Sequence, residues 1–204
     1  MLNWLLNYFS TPGRKCRQIN NRTSEEGELR VDSINKECPD CSCEKHRMSK
    51  YSPEPVQNSE KLTRFVFSSV HVGKKNNIKP SVFSHVYNKG CSIQRESIAS
   101  DDEITQFIRH YLSKNTKHTW HGVLTGDCMS LRKLILTKSK QRAVCIYDTS
   151  ERGNPAHAEI HKSQHVISEE DEVELRSELF EIFNKGVNTP PHVYRSNSVM
   201  AKLT

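Results

Sequence analysis

Residues 142–147 read RAVCIY, and this apolar run, bounded by charged residues, is the clearest buried strand in the chain. TRFVFSSVHV at residues 63–72 is rich in β-branched and aromatic residues and predicts another strand. SIQRE at residues 92–96 is a further candidate strand, and residues 118–124 are also predicted to be extended. The sheet is therefore expected to lie beyond residue 60.

Two long helices are indicated by apolar residues at helical spacing. The first, DDEITQFIRHYLSK at residues 101–114, follows Ser100, a natural N-cap, and the acids of its first turn face the positive end of the helix dipole. The second, EEDEVELRSELFEIFN, begins after Ser168 and ends shortly before Gly186. A shorter helix is predicted over residues 127–136.

The order of these elements, strand, strand, helix, strand, helix, predicts an α+β fold. We expect a single small domain over residues 61–186, with a mixed or antiparallel sheet and two main helices. Residues 1–60 are expected to be a flexible N-terminal extension and linker, because no apolar period persists there, and residues 187–204 a flexible C-terminal tail. Met48 opens a second plausible start, so residues 1–47 are hypothesised to be accessory or a start-site artefact.

The composition excludes an integral membrane protein. Hydrophobic residues make up 34% of the 204 residues, and the mean hydropathy is −0.72. The opening nine residues, MLNWLLNYF, are too short for a span of about 20 residues and carry no features of a secretory signal. Seven cysteines, an odd number, then favour a reduced, cytoplasmic location.

The run SEKLTRFVFS, the Lys-Pro step at residues 79–80, Phe83, the GVLTGDCMSLRKL stretch and the segment NPAHAEI carry a family resemblance. In this order they resemble a group of short bacterial proteins without an assigned function, which share an RF-x-FS start and a P-x-H-A-x-I segment. The resemblance covers residues 59–162. It implies a bacterial domain that begins near residue 60, and it implies no activity.

A candidate metal site lies in the segment CPDCSCEKH, which contains Cys38, Cys41, Cys43 and His46. Thiolates and an imidazole are the ligands that zinc prefers in tetrahedral sites. The last two ligands are crowded, however, and a complete site normally adds its second pair after a longer spacer. We therefore expect no cofactor, with zinc at these four residues as the alternative.

Three further histidines, His157, His161 and His165, follow one another at four-residue spacing. On a strand, His157 and His161 would lie about 13 Å apart, too far to share an ion. On a helix only adjacent pairs could share one. The order also differs from the H-E-x-x-H motif, so these residues are interpreted as surface histidines.

A candidate nucleophile is Cys128, which follows a predicted strand at the possible start of a helix, where the dipole lowers the pKa of a thiol. His157 and Asp148 follow the next strand and would complete a triad, with His121 as a second possible base. The alternative interpretation is a buried core cysteine. The order of residues does not show whether these side chains meet.

A basic central region is the third candidate site. The net charge is +6, and residues 104–147 hold eight Lys or Arg and one acid. Aromatic residues beside cations can stack bases while the cations bind phosphates. The predicted contact residues are Arg109, Lys114, Lys117, Trp120, Arg132 and Lys133.

From this region we predict an accessory protein that binds a protein or nucleic-acid partner through its basic surface, assisted by the late acidic helix. The alternative is a small thiol-dependent hydrolase or transferase that uses Cys128 with a histidine. The sequence leaves open whether the protein is an enzyme.

Overall fold

A computed structural model describes residues 11–184. Five strands form one sheet: β1 Lys61–Ser68, β2 Cys91–Arg95, β3 Thr119–Asp127, β4 Val144–Tyr147 and β5 His157–Lys162. Their order in the sheet is β3-β1-β2-β5-β4, and every neighbouring pair is antiparallel. The predicted α+β class with an antiparallel sheet is confirmed.

Helices pack on both faces of this sheet: α1 Thr11–Thr23, α2 Arg30–Glu37, α3 Asp101–Lys114, α4 Cys128–Arg132 and α5 Glu169–Asn184. Three 3₁₀ segments connect them, at Gly27–Leu29, Pro39–Lys45 and Pro80–Tyr87. The two predicted long helices are α3 and α5. Helix α4 is shorter than predicted and begins after Asp127, whose carboxylate accepts the Ser130 N–H.

Successive side chains of β1 point to opposite faces of the sheet, so this strand contributes to two hydrophobic cores. Leu62 and Val66 point to the first face of the sheet, where α4, α5 and the Pro80–Tyr87 segment cover the main core. Phe65 and Phe67 point to the second face and pack against α3. The predicted extension of this strand to residue 72 is wrong. The chain turns back after Ser68, because Ser69 adopts a positive φ of 70°.

The prediction of a flexible extension over residues 1–60 is wrong for residues 11–60. Helices α1 and α2 and the Pro39–Lys45 segment pack on the second face of the sheet at β4. Their buried apolar residues form one cluster with two residues of β4: Cys16, Ile19, Ile34, Cys38, Cys41, Cys43, Met48, Cys145 and Tyr147. We call this layer, residues 11–60, the N-terminal layer. Residues 1–10, and the predicted tail at 187–204 with Gly186, lie outside the described residues.

Two groups of elements cover different parts of the second face. Helix α3 packs over β1 and β3, and the N-terminal layer packs over β4. Between these two coverings the central strands carry polar side chains on this face. The row comprises Ser92, Gln94, His157, Glu159 and His161. A polar row between two apolar cores is the part of the sheet where buried charge has to be balanced.

Candidate metal centre

Three cysteine sulfurs converge inside the N-terminal layer. Cys16 lies on α1, Cys38 caps the end of α2, and Cys43 lies in the Pro39–Lys45 segment. Their sulfurs all lie within 4.8 Å of one another, and all three residues are buried. Helix α1 and the stretch that follows α2 thus bring soft ligand atoms close together.

The sulfur of Cys43 is paired with those of both Cys16 and Cys38. One sulfur atom forms only one disulfide bond, so these two pairings cannot both be covalent. Three sulfurs this close together could instead all bind one metal ion.

Local backbone geometry brings Cys38 and Cys43 to the same side. Between them Asp40 and Cys41 have positive φ angles of 53° and 57°, which reverse the chain. Residues other than glycine hold this conformation only where surrounding contacts impose it. Here Cys41 is tied to β4 by a disulfide with Cys145.

Glu44 fixes the same segment to the edge of the sheet. Its buried carboxylate accepts a hydrogen bond from the backbone N–H of Ile146 on β4. It also accepts hydrogen bonds from the guanidinium groups of Arg132 and Arg142. These charge-assisted bonds attach the segment that contains Cys43 to the outer edge of β4.

His46 lies three residues beyond Cys43, and its backbone N–H donates to the Cys43 carbonyl. Its Nδ1 atom is buried and has no hydrogen-bond partner among residues 11–184. Burial, with the charges of Lys45 and Arg17, lowers the pKa of His46 and favours the neutral imidazole. A neutral ring with an unoccupied acceptor nitrogen is chemically competent as a ligand.

The predicted metal set is only partly brought together, and His46 does not belong to the cluster of three sulfurs. Cys38 and Cys43 are brought together, but Cys41 is bonded to Cys145 and its place is taken by Cys16. Cys16 precedes Cys43 by 27 residues. The longer spacer that a complete site needs therefore lies before the cysteine-rich segment and not after it.

The proposed nucleophile and its partners are not brought together. Cys128 is fully buried in the core of the first face, and burial raises the pKa of its thiol to about 11. His157 lies on the second face, where its ring nitrogens bond Thr149 and Ser92. His121, the alternative base, lies on β3, the strand that ends beside Cys128.

Asp148 is also engaged elsewhere. Its carboxylate accepts hydrogen bonds from Ser52 and Ser150. Burial raises its pKa against the opposing effect of these bonds. Asp148 therefore links Ser52 to Ser150 through hydrogen bonds. It does not orient a base for Cys128.

The predicted basic surface is divided into two groups at opposite ends of β3. Arg109 and Lys114 lie on α3, near Lys117 and Trp120 at the start of β3, whereas Arg132 and Lys133 follow its end. At about 3.3 Å per residue, the eight steps from Thr119 to Asp127 separate the two ends of β3 by about 26 Å. Contact with a partner through a contiguous basic surface remains a prediction, which this division does not support.

Two of these residues also have partners within the chain. Trp120 packs edge-on against the rings of Phe65 and Phe67, with centroids 5.6 and 5.7 Å away. Arg132 bonds Glu44, and also Asn58. These contacts give Trp120 and Arg132 structural roles within the fold.

The polar row contains a buried charged group that was not predicted from the sequence. Glu159 accepts both Nε (3.2 Å) and Nη2 (2.9 Å) of Arg30, and it also accepts the Nε2–H of His161 (2.8 Å). Burial alone would raise the pKa of Glu159, but the His161 bond and the Arg30 charge outweigh it and lower the pKa to about 2. Glu159 is thus an ionised carboxylate at the base of a cleft of about 400 Å³.

No family model, no curated protein and no solved structure matches this chain. None of the helices within residues 11–184 is long and apolar enough to cross a membrane. The resemblance to short bacterial proteins stays a prediction. Function is therefore argued from the geometry of the candidate sites.

Proposed function

We propose that the protein binds a zinc ion through the sulfurs of Cys16, Cys38 and Cys43, with His46 as the fourth ligand. The observation that carries the proposal is the convergence of three buried sulfurs, one from α1 and two from residues 38–46, within 4.8 Å of one another.

The donor set favours zinc over other metals. Three thiolates and one imidazole form a tetrahedral Cys₃His set, one of the common structural zinc sites. Four residues separate Cys38 from Cys43, and two separate Cys43 from His46, which are spacings that allow one chain segment to supply three ligands. His46 lies outside the cluster of three sulfurs, and its unpartnered Nδ1 is the reason to propose that it closes on the ion as the fourth ligand.

A zinc ion at this position would hold the N-terminal layer together. The layer has few large apolar residues of its own, and its two helices meet at the cysteine cluster. Because metal-binding free energy contributes directly to folding when the ligands come from separate segments, zinc would stabilise the layer against the sheet.

The test is the metal content of the full chain, purified with a thiol reductant. We expect one zinc ion per chain by elemental analysis, and a cobalt-substituted form with thiolate-to-cobalt charge-transfer absorption. Cys16→Ser, Cys38→Ser and Cys43→Ser should each lose the ion, because a tetrahedral site with two remaining thiolates binds far more weakly. His46→Ala should retain the ion with reduced affinity.

The matched controls are Cys91→Ser and Cys128→Ser, since both residues are buried free cysteines of the first-face core. Both should keep the zinc content of the parent chain. Equal zinc content in the Cys43→Ser and Cys91→Ser variants would refute the proposal. If the ligand variants do not fold, chelation of the parent chain still decides, because an unchanged melting temperature after chelation would contradict a structural ion.

A further inference from the structure

The cleft that has Glu159 at its base lies between the N-terminal layer and the sheet. Its volume, about 400 Å³, is within the range of small-ligand sites. The inner part is formed by buried polar residues, which are Asn20, Arg30, Ser49, Thr149, Ser150 and Glu159. The rim is formed by exposed residues, among them Lys50, Tyr51, Lys89, Glu151 and Arg152. A molecule from solvent therefore reaches a set of buried polar groups through this rim.

Three buried residues of the cleft carry hydrogen-bond donors that the fold leaves unused. Arg30 donates from Nε and Nη2 to Glu159 and Asn20, whereas its Nη1 makes no hydrogen bond within residues 11–184. Asn20 accepts through Oδ1, and its Nδ2 donates to no described residue. The Ser49 hydroxyl accepts the Tyr51 N–H but donates to no group of the described chain. Polar groups of buried residues are normally hydrogen-bonded to protein or ordered water, and a ligand with acceptor oxygens replaces such water.

The charges of the cleft favour an anion. Its lining holds four cationic and two acidic side chains. Lys89 is paired with Glu28, but Lys50 and Arg152 make no ion pair among the described residues. A phosphate monoester carries nearly two negative charges and three acceptor oxygens, so it matches several separate cations better than a carboxylate does.

Glu159 restricts the part of the ligand that reaches the base of the cleft. Its Oε2 accepts hydrogen bonds from Arg30 and His161, whereas its Oε1 accepts none within the described chain. An anionic group would be repelled by this carboxylate. A hydroxyl group, in contrast, donates to Oε1 and accepts from Ser49 or Asn20. The matching ligand therefore carries its charge towards the rim and its hydroxyl groups inward.

We propose that this cleft binds a small hydroxylated phosphate monoester. The phosphate group is held by Arg30, Lys50 and Arg152, because charge-assisted hydrogen bonds to its oxygens are the strongest contacts on offer. The hydroxyl groups bind Ser49 and Glu159. The site uses none of the proposed zinc ligands, so either proposal stands if the other fails.

The test is isothermal titration calorimetry of the full chain in a phosphate-free buffer. The probes are glycerol phosphate and ribose phosphate, compared with glycerol, ribose and inorganic phosphate. We expect saturable binding of one ester molecule per chain, weaker binding of inorganic phosphate and no binding of the uncharged compounds. No saturable binding of either ester would overturn the proposal. Ribose that binds as tightly as ribose phosphate would contradict an anionic ligand, and inorganic phosphate that binds as tightly as both esters would contradict the hydroxyl contacts.

The location of the site is tested by a double variant, Lys50→Gln with Arg152→Gln. Both residues are exposed and make no hydrogen bond through their side chains within the described chain, so folding should be unaffected. The affinity for the bound ester should fall at least about tenfold, the scale for loss of charge-assisted hydrogen bonds. The matched control, Lys133→Gln with Arg109→Gln, removes the same two charges from exposed positions outside the cleft and should keep the parent affinity. Equal affinities of the two double variants would overturn the assignment of the cleft.

Discussion

Glu159 illustrates how single residues of the polar row are stabilised. A carboxylate that is only 8% exposed is unfavourable unless it is paired and hydrogen-bonded. Arg30, from the N-terminal layer, supplies the charge, and His161, from the same strand, supplies a further hydrogen bond. Because Arg30 also donates to Asn20 on α1, the charge pair connects the sheet to both helices of that layer.

The pKa of Glu159 predicts a specific pH dependence of stability. Its pKa is lowered from 4.5 to about 2 in the folded protein, so the folded state favours the ionised form. The resulting stabilisation, about 3 kcal/mol, is fully present above pH 4.5 and is lost as the pH falls through 2. Urea unfolding between pH 6 and pH 2.5 should therefore show a smaller decline for Glu159→Gln than for the parent chain.

Glu151→Gln is the matched control, because Glu151 lines the same cleft but is exposed. That variant should keep the full decline of the parent chain. If the two glutamine variants lose stability equally over this pH range, the ionised Glu159 contributes nothing to folding and the assignment fails.

Among the secondary-structure elements, α3 has the best-defined start. Ser100 and Glu103 form a reciprocal capping box: the Ser100 hydroxyl accepts the Glu103 N–H, and the Glu103 carboxylate accepts the Ser100 N–H. Helix α5 begins in the same way, with Ser168 and Asp171. Both caps satisfy backbone donors that the helix itself leaves unpaired.

Removal of the first cap gives an element-scale prediction. Ser100→Ala should lower the free energy of unfolding by about 1 kcal/mol, as measured by urea denaturation, because N-cap hydroxyls contribute that much. Ser113→Ala changes a serine inside the same helix, whose hydroxyl only donates to the His110 carbonyl. It should shift stability by less than about 0.5 kcal/mol, and equal losses in both variants would contradict the capping argument.

Elements with strong local signals were predictable from the sequence. Caps and apolar periodicity placed α3 and α5, and β-branched runs placed β1 and β4. Helices α1 and α2 were missed because each has few apolar residues, chiefly Ile19 on the first and Val31 and Ile34 on the second. Cysteines contribute much of the rest of that buried surface, and the spacing of Cys38, Cys41 and Cys43 indicated metal ligands rather than core residues.

The candidate metal centre was half predictable for a related reason. Cys38 and Cys43 are close in sequence, so their spacing indicated a site. Cys16 and Cys145 reach the same cluster only through tertiary packing of α1 and β4. The pairing of Cys145 with His161 depends in turn on the register of β4 and β5, which local sequence patterns do not determine.

At the scale of the whole molecule, the sheet has helices or 3₁₀ segments on both faces. The first face is closed by elements that follow β1 in the chain, whereas half of the second face is closed by residues that precede it. Residues 61–184 alone would therefore expose Tyr147 and Cys145 and leave Glu159 without Arg30. An exposed apolar surface and an unpaired carboxylate both destabilise the fold.

Deletion of residues 1–47 tests whether the remaining chain folds independently, as the sequence alone suggested. We expect the cooperative thermal transition to be lost, because the deletion removes α1, α2, Arg30 and the cysteine cluster. A point variant gives the same test in milder form: Ile34→Ala, fully buried in the layer, should cost about 2–5 kcal/mol. Leu29→Ala, in the same layer but 66% exposed, should be nearly neutral. A cooperative melt of the truncated chain, together with a neutral Ile34→Ala, would mean that the sheet is stable without its N-terminal layer.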